Sequence, residues 1–393
     1  MVIRNKIFSA LERVPTPFYL YDSNSIRKTY LALINSIPEK LEVFYAIKAN
    51  PNKDIISLFA KLGAGADVAS EGELLASLRS GIKPHKISFA GPGKTEDELE
   101  LAITKSIASV SVESLDEVNI LDKLSRKINK KASVSIRINP SKGGLFSGLN
   151  MGGGSQQFGI DEEALPKVLK QIKRCKSLSF VGIHMHAGSQ ILSEENISKN
   201  IGYLLRYCAK LQKDMDIKIR LINFGGGIGI PYYTRQKRID LEILSCMIRK
   251  EFARANVKKL FPKTRFIIEP GRFLVGESGV YVTKILYKKK SRGKTFLIVD
   301  GGLHHNLAAA GLLGEGFKKN RICGVLTKDL DYNKEIVHIA GCLCTPLDIL
   351  ARDIILPKCE PGDYLYIASS GAYGYSASPL MFLSHSMPAE IMV

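Results

Sequence analysis

Short apolar, β-branched runs alternate with segments of helical period from about residue 40 to residue 270. Runs bounded by turn residues and separated by amphipathic stretches predict parallel strands joined by helices, not antiparallel hairpins. Eight strands are predicted, starting near Val43 (VFYAIK), Gly65 (GADVAS), Ile87 (ISFAG), Ser109 (SVSVE), Ser133 (SVSIRIN), Phe180 (FVGIHMH), Arg220 (RLINFGG) and Arg265 (RFIIEP). The first four starts, at 43, 65, 87 and 109, are evenly spaced at the length of one compact strand, loop and helix. Eight such units predict an α/β chain built on a (β/α)8 barrel of the TIM type. Between them, NKDIISLFAKLG, EGELLASLRSG and TEDELELAITKS place apolar residues at helical spacing, and the first two end on glycine, a preferred helix stop.

After Arg272 the texture changes to short β-like runs, VYVTKILY, TFLIVD, EIVHIAG and DYLYIAS, separated by Gly, Pro and charged residues. These predict a second, β-rich domain. The early run PFYLYD fits the same domain, although the pattern alone does not fix its pairing. The expected division is residues 24–270 for the barrel, and residues 1–23 with 271–393 for the β-rich domain.

Composition narrows the classes of function. With 393 residues, 45% hydrophobic and 24% charged, the chain has enough apolar material for sizeable cores, and wholesale disorder is excluded. Lys and Arg number 56 against 38 Asp and Glu, a net charge of +18 that favours encounters with anions. RKINKK and YKKKSRGK read as solvated faces, and no aromatic-interleaved basic motif suggests nucleic-acid binding. Neither a membrane-length apolar run, an amphipathic anchor nor a secretory leader pattern is evident. The seven cysteines are scattered without a CxxC pair, so reduced thiols and a cytoplasmic location are expected. No metal site is expected: the pair Cys342 and Cys344 lacks obvious third and fourth ligands. His184 with His186 at spacing two is a possible metal pair that ranks below a ring-stacking role, whereas for the adjacent His304 and His305 a substrate contact or a structural role is as plausible as metal.

In a barrel of this kind the chemistry lies where strands end at their C-terminal side. There the sequence puts Lys48 at the end of VFYAIK, Ser70 after GADVA, Arg137 and Asn139 in SVSIRIN, and His186 at the end of VGIHMH. Gly225, Gly226 and Gly227 follow LINF, and Glu269 and Arg272 follow FII. A lysine on an otherwise buried strand is costly unless paired or chemically used, the alternative being a lysine whose stem lies along the surface. The GGGIG run offers consecutive backbone N–H groups to a phosphate, with an ordinary tight turn as the alternative; without a Lys-Ser/Thr ending it is not a nucleotide P-loop.

The ordered series YAIKAN, GADVASEGEL, GPGK, RINP, FGID, HMHAGSQ, GGGIG, EPGR, CTPLD and GAYGY resembles the fold-type III pyridoxal phosphate decarboxylases, among them the ornithine and diaminopimelate decarboxylases. The resemblance runs from about Pro17 to Leu383. It implies an alanine-racemase-like barrel with pyridoxal 5'-phosphate joined to Lys48 through a Schiff base. His186 would stack on the ring, Glu269 would face the pyridine nitrogen, and Asp67 and Gly271 would border the cofactor. Ser189, Gly225, Gly226, Gly227, Arg272 and Tyr373 would surround the phosphate. Arg137 and Asp348 would contact substrate, and Cys344 would return a proton from the neighbouring subunit, which makes a homodimer with shared active sites the expected assembly.

Gln157 stands where many ornithine- and diaminopimelate-type sequences have lysine before FGID, and CTPLD lacks the acid that often follows the cysteine. With MGGGSQQFGID, VDGGLHHNLAAAG and LCTPLD, these departures resemble the subgroup that decarboxylates amino-acid units carried by an acyl-carrier protein, or joined to citrate in siderophore assembly. The expected substrate is an amino acid or an amino-acid conjugate. Diaminopimelate or ornithine/lysine decarboxylation, amino-acid racemisation and a non-catalytic regulatory role are the alternatives.

Overall fold

The computed structural model describes residues 2–141, 149–150, 154–312, 320–327 and 333–393. It divides into two compact units, one of residues 29–230 with 238–271, the other of residues 1–28, 231–237 and 272–393.

Eight parallel strands form the first unit: Leu41–Ala46, Gly65–Val68, Ile87–Phe89, Ser109–Val112, Ala132–Asn139, Leu178–His184, Leu221–Asn223 and Arg265–Ile268. Each pairs with the next, and Arg265–Ile268 pairs back onto Leu41–Ala46 through Phe266 opposite Leu41, so the sheet closes into the expected barrel. All eight strands fall where the apolar runs predict them. Strands covered on both faces need near-continuous apolar sequence, and Val110, Val112, Val134, Ile136, Ile183, Ile222, Phe266 and Ile267 are buried accordingly.

Helix starts are set by side-chain caps. Asn52 accepts from the Asp54 N–H ahead of Lys53–Lys61, Ser70 caps Glu71–Arg79, and Thr95 with Glu98 forms a capping box for Glu96–Lys105. Ser70, singled out above because it ends a strand run, is therefore a helix cap in this fold. Gly63 and Gly81 follow the first two of these helices at positive φ.

The second unit is an eight-stranded sheet in the order Cys323–Val325, Tyr364–Ile367, Gly279–Ser291, Lys294–Val299, Lys334–Ala340, Ile349–Pro357. The early run forms strand Phe18–Tyr21, antiparallel to Gly279–Ser291, with Ala389–Met392 parallel on its other side. Ile7, Ala10, Phe18, Leu20, Val280, Val282 and Leu326 make a core beneath it. Compared with the expected division, residues 24–28 and 231–237 group with the β-rich unit, and Gly271 groups with the barrel. The 231–237 segment is held there by Tyr232, whose ring lies 3.4 Å from the Arg321 guanidinium carbon and 5.4 Å from that of Arg272.

Candidate active site

All eight barrel strands contribute to one group of side chains at and beneath their C-terminal ends. Lys48 sits in the single turn Ile47–Ala49 directly after the first strand and forms an ion pair with Asp67, the third residue of the next strand. Asp67 is buried, and its Oδ1 has no hydrogen-bond partner among the described residues. Burial and the charge of Glu269 raise its pKa, against the opposing pull of Lys48.

Glu269 follows the last strand and is also buried. Its Oε1 accepts from Ser88 Oγ at 3.0 Å and Asn223 Nδ2 at 2.5 Å, and its Oε2 lies 3.4 Å from His184 Nε2. Burial alone would raise its pKa; the His184, Lys48 and Asn223 side chains outweigh that and hold the carboxyl well below the usual range. His184 Nδ1 meets Ser111 Oγ at 3.0 Å, and Ser111 meets Ser135 at 2.8 Å. A polar chain thus runs across the barrel interior beneath the strand ends.

His184 and His186, spaced as a metal pair, do different things. His184 ends its strand inside this network, whereas His186 lies two residues beyond and accepts the Gly226 N–H on Nδ1 at 3.2 Å. Burial, then the cationic Arg137 and Lys48, push the His186 pKa down to about 3, so the ring is neutral at physiological pH.

The glycine run follows strand Leu221–Asn223, with Gly225 and Gly227 at φ 66° and 107°. Side chains at 225, 226 and 227 would run into the carbonyl oxygens of Met185, Glu269 and Gly188 respectively. The chain can fold this tightly only because these Cβ atoms are missing. Gly271 is similarly confined, against Ala46 and Ala49. Ser189, half-buried, lies in a two-residue pairing with residues 149–150. Arg137 is given to Glu113, 3.0 Å away, and its guanidinium lies over the Phe158 ring at 4.8 Å. Glu113 also accepts the Gly91 and Gly159 N–H groups.

In the β-rich unit the structure brings Arg272 and Tyr373 together, with the guanidinium carbon 4.7 Å from the ring centroid and Nη1 donating to Tyr232 Oη at 2.6 Å. Cys344 is exposed. Asp348 is buried, and its two carboxylate oxygens accept the N–H of Leu303 at 2.6 Å and of Leu343 at 2.8 Å. Its visible work is therefore to tie the 301–305 loop to the loop bearing Cys344. His305 bridges Tyr281 Oη and the Ser386 carbonyl, a structural use. Met151, Gly152 and Gly153 of MGGGSQQFGID lie outside the described residues.

A family model described as pyridoxal-dependent decarboxylase, pyridoxal binding domain, matches residues 23–276. This chain belongs to that family. It is 37% identical over 390 residues to an L-glutamyl-[BtrI acyl-carrier protein] decarboxylase of Niallia circulans, spanning 98% of this chain and 91% of the relative. It is 34% identical over 368 residues to a diaminopimelate decarboxylase of Aquifex aeolicus, spanning 92% and 83%. The structure of Helicobacter pylori diaminopimelate decarboxylase complexed with L-lysine superposes with a TM-score of 0.88 at 31% identity, covering 98% of this chain and 94% of that one.

The protein is thus a pyridoxal-phosphate-dependent decarboxylase acting on an amino-acid substrate, and its barrel residues fit the cofactor. The fit rests on an ionised buried carboxyl, a neutral imidazole, an amine on the strand end and a side-chain-free glycine cradle. Among the described residues no helix of the decarboxylase is long and apolar enough to cross a membrane. Reading strand ends alone missed Ser88, Ser111, Ser135 and Asn223, and weighed His184 only as a partner of His186. Their one signal was polarity inside otherwise apolar strand runs, which by itself does not tell a position facing the barrel interior from one facing a helix.

Proposed function

We propose that this decarboxylase removes the α-carboxylate of a glutamyl-type unit carried on an acyl-carrier protein. The observation that carries this reading is the match to the carrier-protein glutamyl decarboxylase across 98% of the chain. The +18 charge agrees with an acidic macromolecular substrate, because a positive field raises the encounter rate for anions.

Bound pyridoxal phosphate supplies an electron sink for the pair left by the departing carboxylate. Lys48 would hold the cofactor covalently through its amine, with Asp67 as the amine's neighbouring counter-charge. Glu269, kept ionised by its donors, would stabilise a proton on the pyridine nitrogen. His186 would stack on the ring as a neutral plane that adds no positive charge. The Gly225–Gly227 backbone, Ser189, Arg272 and Tyr373 would take the phosphate, and Gly271 would allow close approach beside Ala46 and Ala49. Arg137, held by Glu113, would border the substrate as a positioning residue.

Cys344 would return the proton to the substrate carbon from the partner subunit of a homodimer; its exposure suits a group that must reach another chain. General acids of this kind contribute about 10²- to 10⁴-fold. Asp348 would set the Cys344 loop at that substrate. The cytoplasm, where acyl-carrier proteins and reduced thiols coexist, is the proposed location.

A second reading, diaminopimelate decarboxylation, is favoured by the diaminopimelate decarboxylase relatives and by the superposition on one complexed with L-lysine. Carbon dioxide release by the cofactor-loaded enzyme decides between them. Glutamyl-carrier protein, diaminopimelate, lysine, ornithine and a citrate-conjugated diamino acid are the substrates to compare. Turnover of the carrier-bound glutamate well above the rest supports the proposal, and faster release from diaminopimelate replaces it with the second reading. Inversion without carbon dioxide release would instead mean a racemase.

A further inference from the structure

In the β-rich unit, three side chains distant in sequence converge. His304 lies on the loop after strand Lys294–Val299, Cys342 follows strand Lys334–Ala340, and His385 follows the single turn Phe382–Ser384. One ligating atom from each lies within 4.8 Å of the other two. Cys342 Sγ is 3.9 Å from His385 Nε2, and the rings of His304 and His385 have centroids 4.9 Å apart.

The independent observation is His304 itself. Its residue is fully buried, yet neither ring nitrogen has a hydrogen-bond partner among the described residues. A buried imidazole donor and acceptor both left unmade carry a desolvation penalty that sequences normally avoid. Its neighbour His305, only slightly less buried, has both nitrogens engaged, so the omission is particular to His304. A cation between the three side chains would engage one of these two nitrogens.

We propose that His304, Cys342 and His385 bind a zinc ion. Two imidazoles and one thiolate are a ligand set that suits this borderline-soft ion, leaving a fourth tetrahedral position for water. His304, with neither ring nitrogen engaged among the described residues, has a nitrogen to offer the ion. The Cys342 thiol gives up its proton to solvent as the zinc–sulfur bond forms. Closing to tetrahedral distances, on the order of 3.5 Å between ligand atoms, needs movement only of half-buried Cys342 and exposed His385. Two residues beyond Cys342 stands Cys344, so the ion would brace the loop that carries it.

The test uses untagged, cofactor-loaded enzyme, dialysed against a chelator and titrated with zinc in the presence of a chromophoric competitor. Metal content and zinc-edge X-ray absorption are then measured. One zinc per chain is expected, with one sulfur at about 2.3 Å and two nitrogens at about 2.0 Å. Cys342→Ser and His385→Asn, at positions that are not fully buried, should each weaken binding by more than the roughly tenfold loss typical of an outer-shell partner. Substoichiometric zinc, a coordination shell without sulfur, or wild-type affinity in both variants overturns the proposal. None of these readouts depends on which substrate the enzyme decarboxylates.

Discussion

His184 Nε2 and Glu269 Oε2 stand 3.4 Å apart inside the barrel, both side chains buried, and this pairing helps keep a carboxylate charged where burial alone would neutralise it. Ser88 and Asn223 donate to the other carboxylate oxygen. Charge and hydrogen bonding therefore win over desolvation at this one acid, while Asp67, beside it, goes the other way.

Glu269→Gln keeps the side chain's volume but removes its charge. On the proposed role the decarboxylation rate should fall by about 10²- to 10³-fold, the scale for losing one pre-set electrostatic partner. The same variant has a stability signature. Because the folded carboxyl titrates below its ordinary value of 4.5, the unfolded chain takes up this proton first as pH falls. The resulting stabilisation is complete above pH 4.5 and is lost as pH drops through the folded value. Urea midpoints of wild type and Glu269→Gln should therefore converge in acid; a gap that stays constant with pH would contradict the argument.

Lys48→Ala should abolish the visible absorbance of lysine-linked cofactor and reduce carbon dioxide release by at least about 10²- to 10⁴-fold. With its counter-charge gone, Asp67 keeps burial and the charge of Glu269, both of which favour the protonated form, against only the smaller opposing pull of His184. Lys48→Ala protein should consequently take up a proton at Asp67 at a higher pH than wild type does. Difference infrared spectroscopy of the carboxyl band across mildly acidic pH reads this directly. Wild-type absorbance in the variant would remove Lys48 from the mechanism.

How much of this was readable beforehand follows from which face of a strand a residue occupies. Barrel strands are apolar on both sides, so their runs stand out, and the residues that end them were legible as a set: Lys48, His186, the glycines, Glu269. Ser88, Ser111 and Asn223 were not, because a small polar residue within a strand looks the same whether it faces a polar network or a packed helix. In the β-rich unit, strand Ile349–Pro357 went unread because Arg352 and Asp353 interrupt its apolar run; Asp353 sits at φ 49° where the pairing with Lys334–Ala340 shifts register. The meeting of His304, Cys342 and His385 depends on tertiary pairing of segments that share no local pattern.

Asp348→Asn tests the work of the buried carboxylate. Its two oxygens face the Leu303 and Leu343 N–H groups, so an amide must turn its NH₂ toward one of them. A lost charge-assisted bond and an unsatisfied donor should cost about 1–3 kcal/mol. Gly302 and Gly341 pack directly against the carboxylate, leaving little room for a rearrangement that would spare the bond. Urea denaturation should show the loss, and kcat should fall with little change in KM if the residue orients the Cys344 loop. A large KM increase at unchanged stability would instead mark Asp348 as a direct substrate contact.

Ionic strength separates the two substrate readings. The chain carries 56 Lys and Arg against 38 Asp and Glu, and if an acidic carrier protein is steered by that excess, its encounter rate must depend on screening. Between about 0.1 M and 1 M salt the Debye length shrinks from roughly 10 Å to roughly 3 Å. The kcat/KM for glutamyl-carrier protein should then drop by about tenfold or more, the lower end of the range over which steering acts on association. Diaminopimelate, small and without net charge at neutral pH, provides the internal control, since its turnover should stay nearly flat over the same range. Parallel salt profiles for both substrates would mean that the basic surface plays no part in recognition and would leave the carrier-protein reading without its electrostatic support.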